Sequence, residues 1–346
     1  MAYSTIPKGS LYMNPKIYTG TGSSNAITGV GFQPDWTWIK RRNGTNGHNL
    51  YDVIRGVTKT INSATTAAES TSGSGLTAFG TDGFTVVSDG DVNASGGTYA
   101  SWNWLANGTG SANTAGSINS TVSANTTSGF SIVSYTGNGG STPKTVGHGL
   151  GVAPKMIIIK PTNLTYDWMT YNENVGATKG MCLNTTQAPF TSSNFNDTAP
   201  TTSVFSVKNN ATNETNGTYI AYCFADVQGF SKMGSYTGNA NANGPFVYTG
   251  FKPSFVIIKR TNLANDWLTQ DNKRYPINET VAKTLKPNSA LAEGDTGNLD
   301  ILSNGFKLRS TGTNTNASGG TYIYMAFAEN PFVATSGTSA IPVTAR

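Results

Sequence analysis

The stretch NASGGTY at residues 93–99 recurs unchanged at residues 316–322, and a diverged copy, NETNGTY, stands at residues 213–219. A heptapeptide shared this closely within one chain of 346 residues marks an internal repeat, so the rest of the sequence reads as three parallel rows. Each row opens on Tyr-Thr-Gly, at Tyr18, Tyr135 and Tyr236. A Gly-x-x-Pro segment ending in Ile-Lys follows: GFQPDWTWIK at residues 31–40, GVAPKMIIIK at 151–160 and GFKPSFVIIK at 250–259. From Pro34, Pro154 and Pro253 to the anchor glycines Gly97, Gly217 and Gly320 the spacing is 63, 63 and 67 residues. Fourteen residues past the prolines stand His48, Trp168 and Trp267, and the phenylalanines of Gly83-Phe84, Val204-Phe205 and Gly305-Phe306 precede the anchor glycine by 12 to 14 residues.

Three rows of about a hundred residues each predict three modules, each large enough for its own core. Only 12% of residues are charged, 40 are Gly, and no run of Ala, Glu, Lys and Leu suggests a long helix. That composition predicts an all-β chain: three tandem β-sandwich modules, jelly-roll or concanavalin-like, with little helix. Residues 36–39, 156–159 and 255–258 are almost continuously apolar behind a proline, the pattern of central strands buried on both faces. The strand after each anchor alternates instead, with Trp102 and Trp104, Tyr222 and Phe224, or Met325 and Phe327 on the inner face and Ser101 and Asn103 among the outer residues. Asn-Gly and Asp-Gly pairs at Asn43, Asn46, Asp82, Asp89, Asn138, Asn216, Asn243 and Asn304 predict positive-φ hairpin turns. One or two helical turns are expected in the middle of each module, as at residues 278–285, where Asn278 could cap.

The boundaries follow: module 1 over residues 1–106, a Ser/Thr/Asn/Gly-rich linker over 107–129 with only Ile118 and Val122 to bury, module 2 over 130–228, module 3 over 229–332, and a polar tail over 333–346. Cys182 and Cys223 read as small buried hydrophobes, with a disulfide left open. The polar start MAYSTIPKGS resembles no signal peptide, and no apolar run reaches membrane-spanning length, so synthesis in a cytoplasm without membrane insertion is expected. The net charge is +5, yet Lys40, Arg41 and Arg42 form the one tight basic cluster and Lys259 with Arg260 echoes it weakly. These read as solvated strand ends and not as a phosphate-binding stripe, so nucleic acid is not an expected partner.

Chemistry is sparse. His48 stands where the other rows carry Trp, which argues for packing, and His148 falls in a Gly-His-Gly turn. No Gly-x-Ser-x-Gly elbow and no phosphate-loop spacing with its lysine occurs. Asp89, Asp91 and Asn93 have the alternation of a calcium loop but lack the sixth-position glycine (Ala94) and the acidic twelfth (Ala100), and read as an ordinary acidic hairpin. No catalytic, cofactor or metal residues are assigned, and no cofactor is expected. Trp36, Trp38, Trp102 and Trp104 read as core, whereas Trp168 and Trp267 are the better candidates for a sugar-gripping surface, against burial at a module interface.

The segment at residues 31–40, then HNLYD at 48–52, Arg55-Gly56, Thr81 to Phe84, Asn93 and the strand at 99–105 resemble a repeat domain of structural and tail-fibre-like proteins of marine tailed bacteriophages; YIYMAFAENPF and IPVTAR look like the same group. Module 2 departs most, with Lys155 and Met156 in place of Asp-Trp and no Leu-Tyr-Asp. The resemblance implies a non-enzymatic virion structural protein, of tail fibre or spike type with host-surface attachment, or else a head-surface fibre or capsid decoration protein. It also implies other virion proteins as partners, homo-oligomeric assembly (a trimer among the options) and contact with a host surface glycan; the receptor-binding residues stay unassigned. The competing class is a lectin-like carbohydrate-binding protein outside a virion. A glycan-degrading enzyme would need paired carboxylates in one cleft, and no such pair repeats.

Overall fold

The computed structural model describes residues 4–139, 142–274 and 283–331. It is all β, and each repeat builds one main antiparallel sheet from four equivalent strands in the same spatial order. An entry strand (Met13–Thr19, Phe130–Thr136, Ser231–Thr237) pairs with the anchor strand (Thr98–Trp104, Thr218–Phe224, Thr321–Pro331). The anchor strand pairs next with the proline strand (Trp36–Arg41, Met156–Pro161, Phe251–Arg260), and that with a fourth strand (Asn49–Asp52, Met169–Asn172, Trp267–Asp271). The registers coincide: Trp36 faces Trp104, Met156 faces Phe224, and Phe255 faces Phe327. A second, smaller sheet covers the outer face of each main sheet. In repeat 1 it brings Ile27, Leu76, Phe84 and Val86 against Ile39, Tyr51 and Tyr99. This is why Ser101 and Asn103, expected on an exposed face, are buried, with the Asn103 amide donating to the Asn14 carbonyl and accepting from Thr37.

The anchor heptapeptide is a polar staple at one end of each sandwich. Asn93, Asn213 and Asn316 are wholly buried. The Asn316 amide donates to the carbonyls of Asn241 and Ser310 and accepts from the Asn239 N–H, each at 2.8 Å. Asn213 likewise accepts from Asn138 N and donates to Gly139 O, and Asn93 accepts from Thr21 N. The anchor tyrosine stacks on the Tyr-Thr-Gly tyrosine with ring centroids 5.0, 4.9 and 5.0 Å apart in the three repeats. Its hydroxyl bonds back to the segment before it, as when Tyr99 accepts from Ala94 N and donates to Gly90 O. The glycine of Tyr-Thr-Gly is required by this closeness: a Cβ on Gly137 would lie 2.2 Å from the Glu214 carbonyl oxygen.

Repeats 1 and 2 each keep a core of their own between main and smaller sheet, and a further core is shared. One apolar cluster takes residues from all three main sheets. Trp104, Phe224 and Phe327 occupy the same position of their anchor strands, and their ring centroids lie 6.5, 5.9 and 5.7 Å apart, so the three equivalents meet around a pseudo-threefold axis. Trp36 stacks on Tyr222 of the next repeat at 4.3 Å. The Trp- and Phe-bearing faces of the main sheets pack against one another in this shared centre, while their opposite faces line the sandwiches.

Other expectations are corrected. The segment at 107–129, expected as a flexible or surface-laid linker, is laid on the fold: Ser111–Asn113 and Ser120–Asn125 extend the main sheet of repeat 2, with Val122 opposite Val133 on its entry strand. Ile118 and Val122 are buried there, together with Ser120, Ser123 and Ser128. Of the helical turns expected at 278–285, residues 278–282 lie outside the described residues and Lys283–Thr284 form a strand, while single helical turns occur at Gly90–Asn93 and Asn210–Asn213, each ending on the anchor asparagine. Among the eight pairs named above, positive φ is found at Gly83, Gly139 and Asn216, and the further pair Asn107-Gly108 has it at Gly108.

The free side of the entry strand is treated differently in each repeat. In repeat 2 it is paired. In repeat 1 the equivalent of the paired residue Ile132 is Pro15, which has no N–H to offer. In repeat 3 it is Met233, whose N–H donates to Asp226 and whose carbonyl accepts from Asn174.

Candidate functional site: the seams between repeats

The recurring polar residues of the proline and fourth strands converge where one repeat meets the next. The lysine that ends each Ile-Lys is buried, a correction to its reading as a solvated strand end. Each reaches a loop of the preceding repeat in cyclic order. Lys160 Nζ donates to Thr66 O (2.9 Å) of repeat 1, Lys259 to Thr186 O (2.8 Å) of repeat 2, and Lys40 to Ala290 O (3.2 Å) of repeat 3. Local carbonyls complete each ammonium's shell, Gly44 and Arg41 for Lys40 and Tyr166 and Leu164 for Lys160. Burial lowers the pKa of all three lysines to about 8.

The aromatic position fourteen residues past the proline repeats the cycle. Trp168 Nε1 donates to Asn62 O of repeat 1 at 2.9 Å, and Trp267 Nε1 to Cys182 O of repeat 2 at 3.0 Å. Both indoles are therefore buried at seams and are not surface platforms. In repeat 1 the shorter His48 takes this place: its Nδ1 accepts from Trp38 Nε1 at 2.8 Å, and the backbone of Lys286 in repeat 3 is its other polar neighbour. Burial holds its pKa well below the ordinary value, with the Lys40 charge acting in the same direction.

A third layer pairs the anchor strand with a carboxylate of the neighbour. Tyr222 donates to Asp52 (2.8 Å), which is held by Arg55, and Trp102 donates to Asp271 (2.9 Å), which is held by Arg274. Burial alone would raise the Asp271 pKa, but the Arg274 charge and the converging donors bring it below the usual value. At the seam between repeats 2 and 3 the corresponding residues are Met325, Asn172 and Val175, so the layer is missing and the Asn172 side-chain nitrogen is left without a partner.

The remaining candidates serve local structure. Asp89 accepts from Asp91 N and Ser72 Oγ, and Asp91 accepts from Asn46, so these oxygens close a helical turn. His148 accepts from Leu150 N. Cys182 and Cys223 are buried free thiols, and burial pushes Cys182 up to about 12. Two open depressions, of about 580 and about 450 Å³, are lined mainly by Ser, Thr and Asn in repeats 2 and 3. The signal for the lysine clamps was present in sequence, in the threefold Ile-Lys, but a lysine repeated at a strand end gives no indication of which neighbour it reaches.

A family model described as a domain of unknown function, DUF7483, matches residues 8–331 in one span. The chain belongs to that family. No curated protein and no solved structure matches it. The DUF7483 span takes in all three repeats as a single unit, in agreement with a core and a set of seams that no one repeat completes alone.

Proposed function

We propose that this DUF7483 chain is a non-enzymatic structural component of a tailed-phage virion, of tail fibre or spike type with attachment to a host surface. The observation that carries the reading is the use made of its recurrent polar and aromatic side chains. The anchor asparagines, the buried lysines and the seam tryptophans are all bonded to backbone, which yields a stiff body whose residues hold shape. Three equivalent units in one chain also multiply any weak surface contact they make. On this reading its partners are other virion proteins, and a host surface glycan would be met by loops that are not yet assigned. Burial of Trp168 and Trp267 removes the indoles on which a lectin outside a virion would most simply have relied. Mass spectrometry of purified particles, with localisation in an electron density map, tests the proposal. Stoichiometric presence in a tail appendage is expected, presence on the head would move the assignment to a head fibre or decoration protein, and absence from particles would overturn it.

A further inference from the structure

Two of the three seams join repeats that are consecutive in the chain, whereas the seam between repeat 3 and repeat 1 has no covalent connection and must be held by contacts alone. It carries contacts that the others lack. Arg42 at the end of the proline strand forms a salt bridge with Glu293 of repeat 3 (2.9 Å), and Glu293 also accepts from Arg274, which holds Asp271 beneath Trp102. The guanidinium of Arg274 lies over the Trp102 ring. Alongside, Ser63 Oγ donates to Pro287 O (2.7 Å), while the bond from Glu293 N to Arg42 O (2.8 Å) is matched at the first seam by Glu69 N to Thr162 O (2.7 Å). At the position of Arg42 the other repeats carry Thr162 and Thr261, which bond to the anchor strand through the same backbone N–H and bring no charge. The equivalent acid in repeat 1, Glu69, pairs with Arg55 and Lys59 of its own repeat. Arg42–Glu293 is thus the one ion pair among the described residues that joins repeat 1 to repeat 3.

We propose that the molecule is a ring with one non-covalent closure, that this closure opens and recloses below the threshold of global unfolding, and that Arg42–Glu293 is its latch. A position at the rim suits the pair to that role. Arg42 keeps 21% of its side-chain surface and Glu293 9%, so water and salt reach them in a way that they do not reach the Asp271–Arg274 pair beneath. Local opening of this kind follows from uneven distribution of stabilising contacts over a fold.

Hydrogen exchange on the full chain tests this, comparing three amides that cross the three seams: Glu293 N to Arg42 O, Glu69 N to Thr162 O, and Asn265 N to Thr186 O. Arg42→Thr installs the residue the other repeats use and is compatible with the strand. It should speed exchange at Glu293 about fivefold, the scale of a partly exposed ion pair, and leave Glu69 and Asn265 unchanged. Glu293→Gln and elevated salt on the unsubstituted chain should act at the same amide. If all three amides accelerate together in Arg42→Thr, the ring opens only by global unfolding and the latch is refuted. Unchanged exchange at Glu293 refutes it equally.

Discussion

Replacing Asn316 by Ala removes one side chain that makes four hydrogen bonds, three of them to backbone, in a site with no solvent exposure. The carbonyls of Asn241 and Ser310 lose a donor and Asn239 N loses its acceptor, each from a bond of 2.8 Å. A buried group left without its partner costs about 1 to 3 kcal/mol, and water entering the vacated volume recovers part of that, so a loss of about 3 kcal/mol is expected. Urea unfolding followed by tryptophan fluorescence is the assay, because all six tryptophans are buried and report loss of the shared core. Asn316→Asp separates hydrogen bonding from volume. It preserves shape and the acceptor but turns an oxygen toward two carbonyls and buries a charge, so it should be at least as damaging as the alanine at neutral pH. A loss under about 1 kcal/mol for Asn316→Ala, or an aspartate variant clearly more stable than the alanine one, would refute the staple as the reason for the repeated heptapeptide.

Two further outcomes follow from the same geometry. Gly137→Ala places a methyl 2.2 Å from Glu214 O, an overlap that backbone must relieve; a lowering of the urea midpoint corresponding to about 2 kcal/mol or more is expected, and an unchanged midpoint would show that the turn yields freely. The buried lysines have a folded pKa of about 8, below their unfolded value, so the unfolded chain binds more protons above that point and stability should rise from about pH 8 toward pH 10. Above about pH 10 the sign reverses. Tyr18, Tyr135, Tyr222 and Tyr236 are held well above their usual value by burial and keep protons that the unfolded chain has released. A urea midpoint that falls steadily from pH 8 to 9.5 would contradict this.

The all-β class and the strand positions were legible because both are written in short-range pattern. Pro34, Pro154 and Pro253 mark where a run of apolar residues begins, and the spacing to the anchor glycine survives in all three copies. What lay hidden depends on surfaces distant in the chain. Trp104, Phe224 and Phe327 could each have filled a private core, and only the folded arrangement brings them to one axis. Trp168 and Trp267 looked available for a ligand because a polar loop precedes them, yet the carbonyls they meet belong to strands more than eighty residues earlier. Lys40 misleads for a related reason: a lysine is expected in water unless something supplies carbonyls around it, and here Ala290, on a loop 250 residues away, supplies one.

Copying a β unit within a gene also copies its unpaired strand edge, and identical edges are suited to recognise one another in neighbouring molecules. Pro15, the Asp226 and Asn174 side chains at Met233, and the strand Ser120–Asn125 are three separate answers to that inherited hazard. Growth of the main sheets by pairing at these three entry edges is thereby obstructed in three different ways, so a copy of the chain cannot use them as a repeating template, whose extension has no natural stopping point.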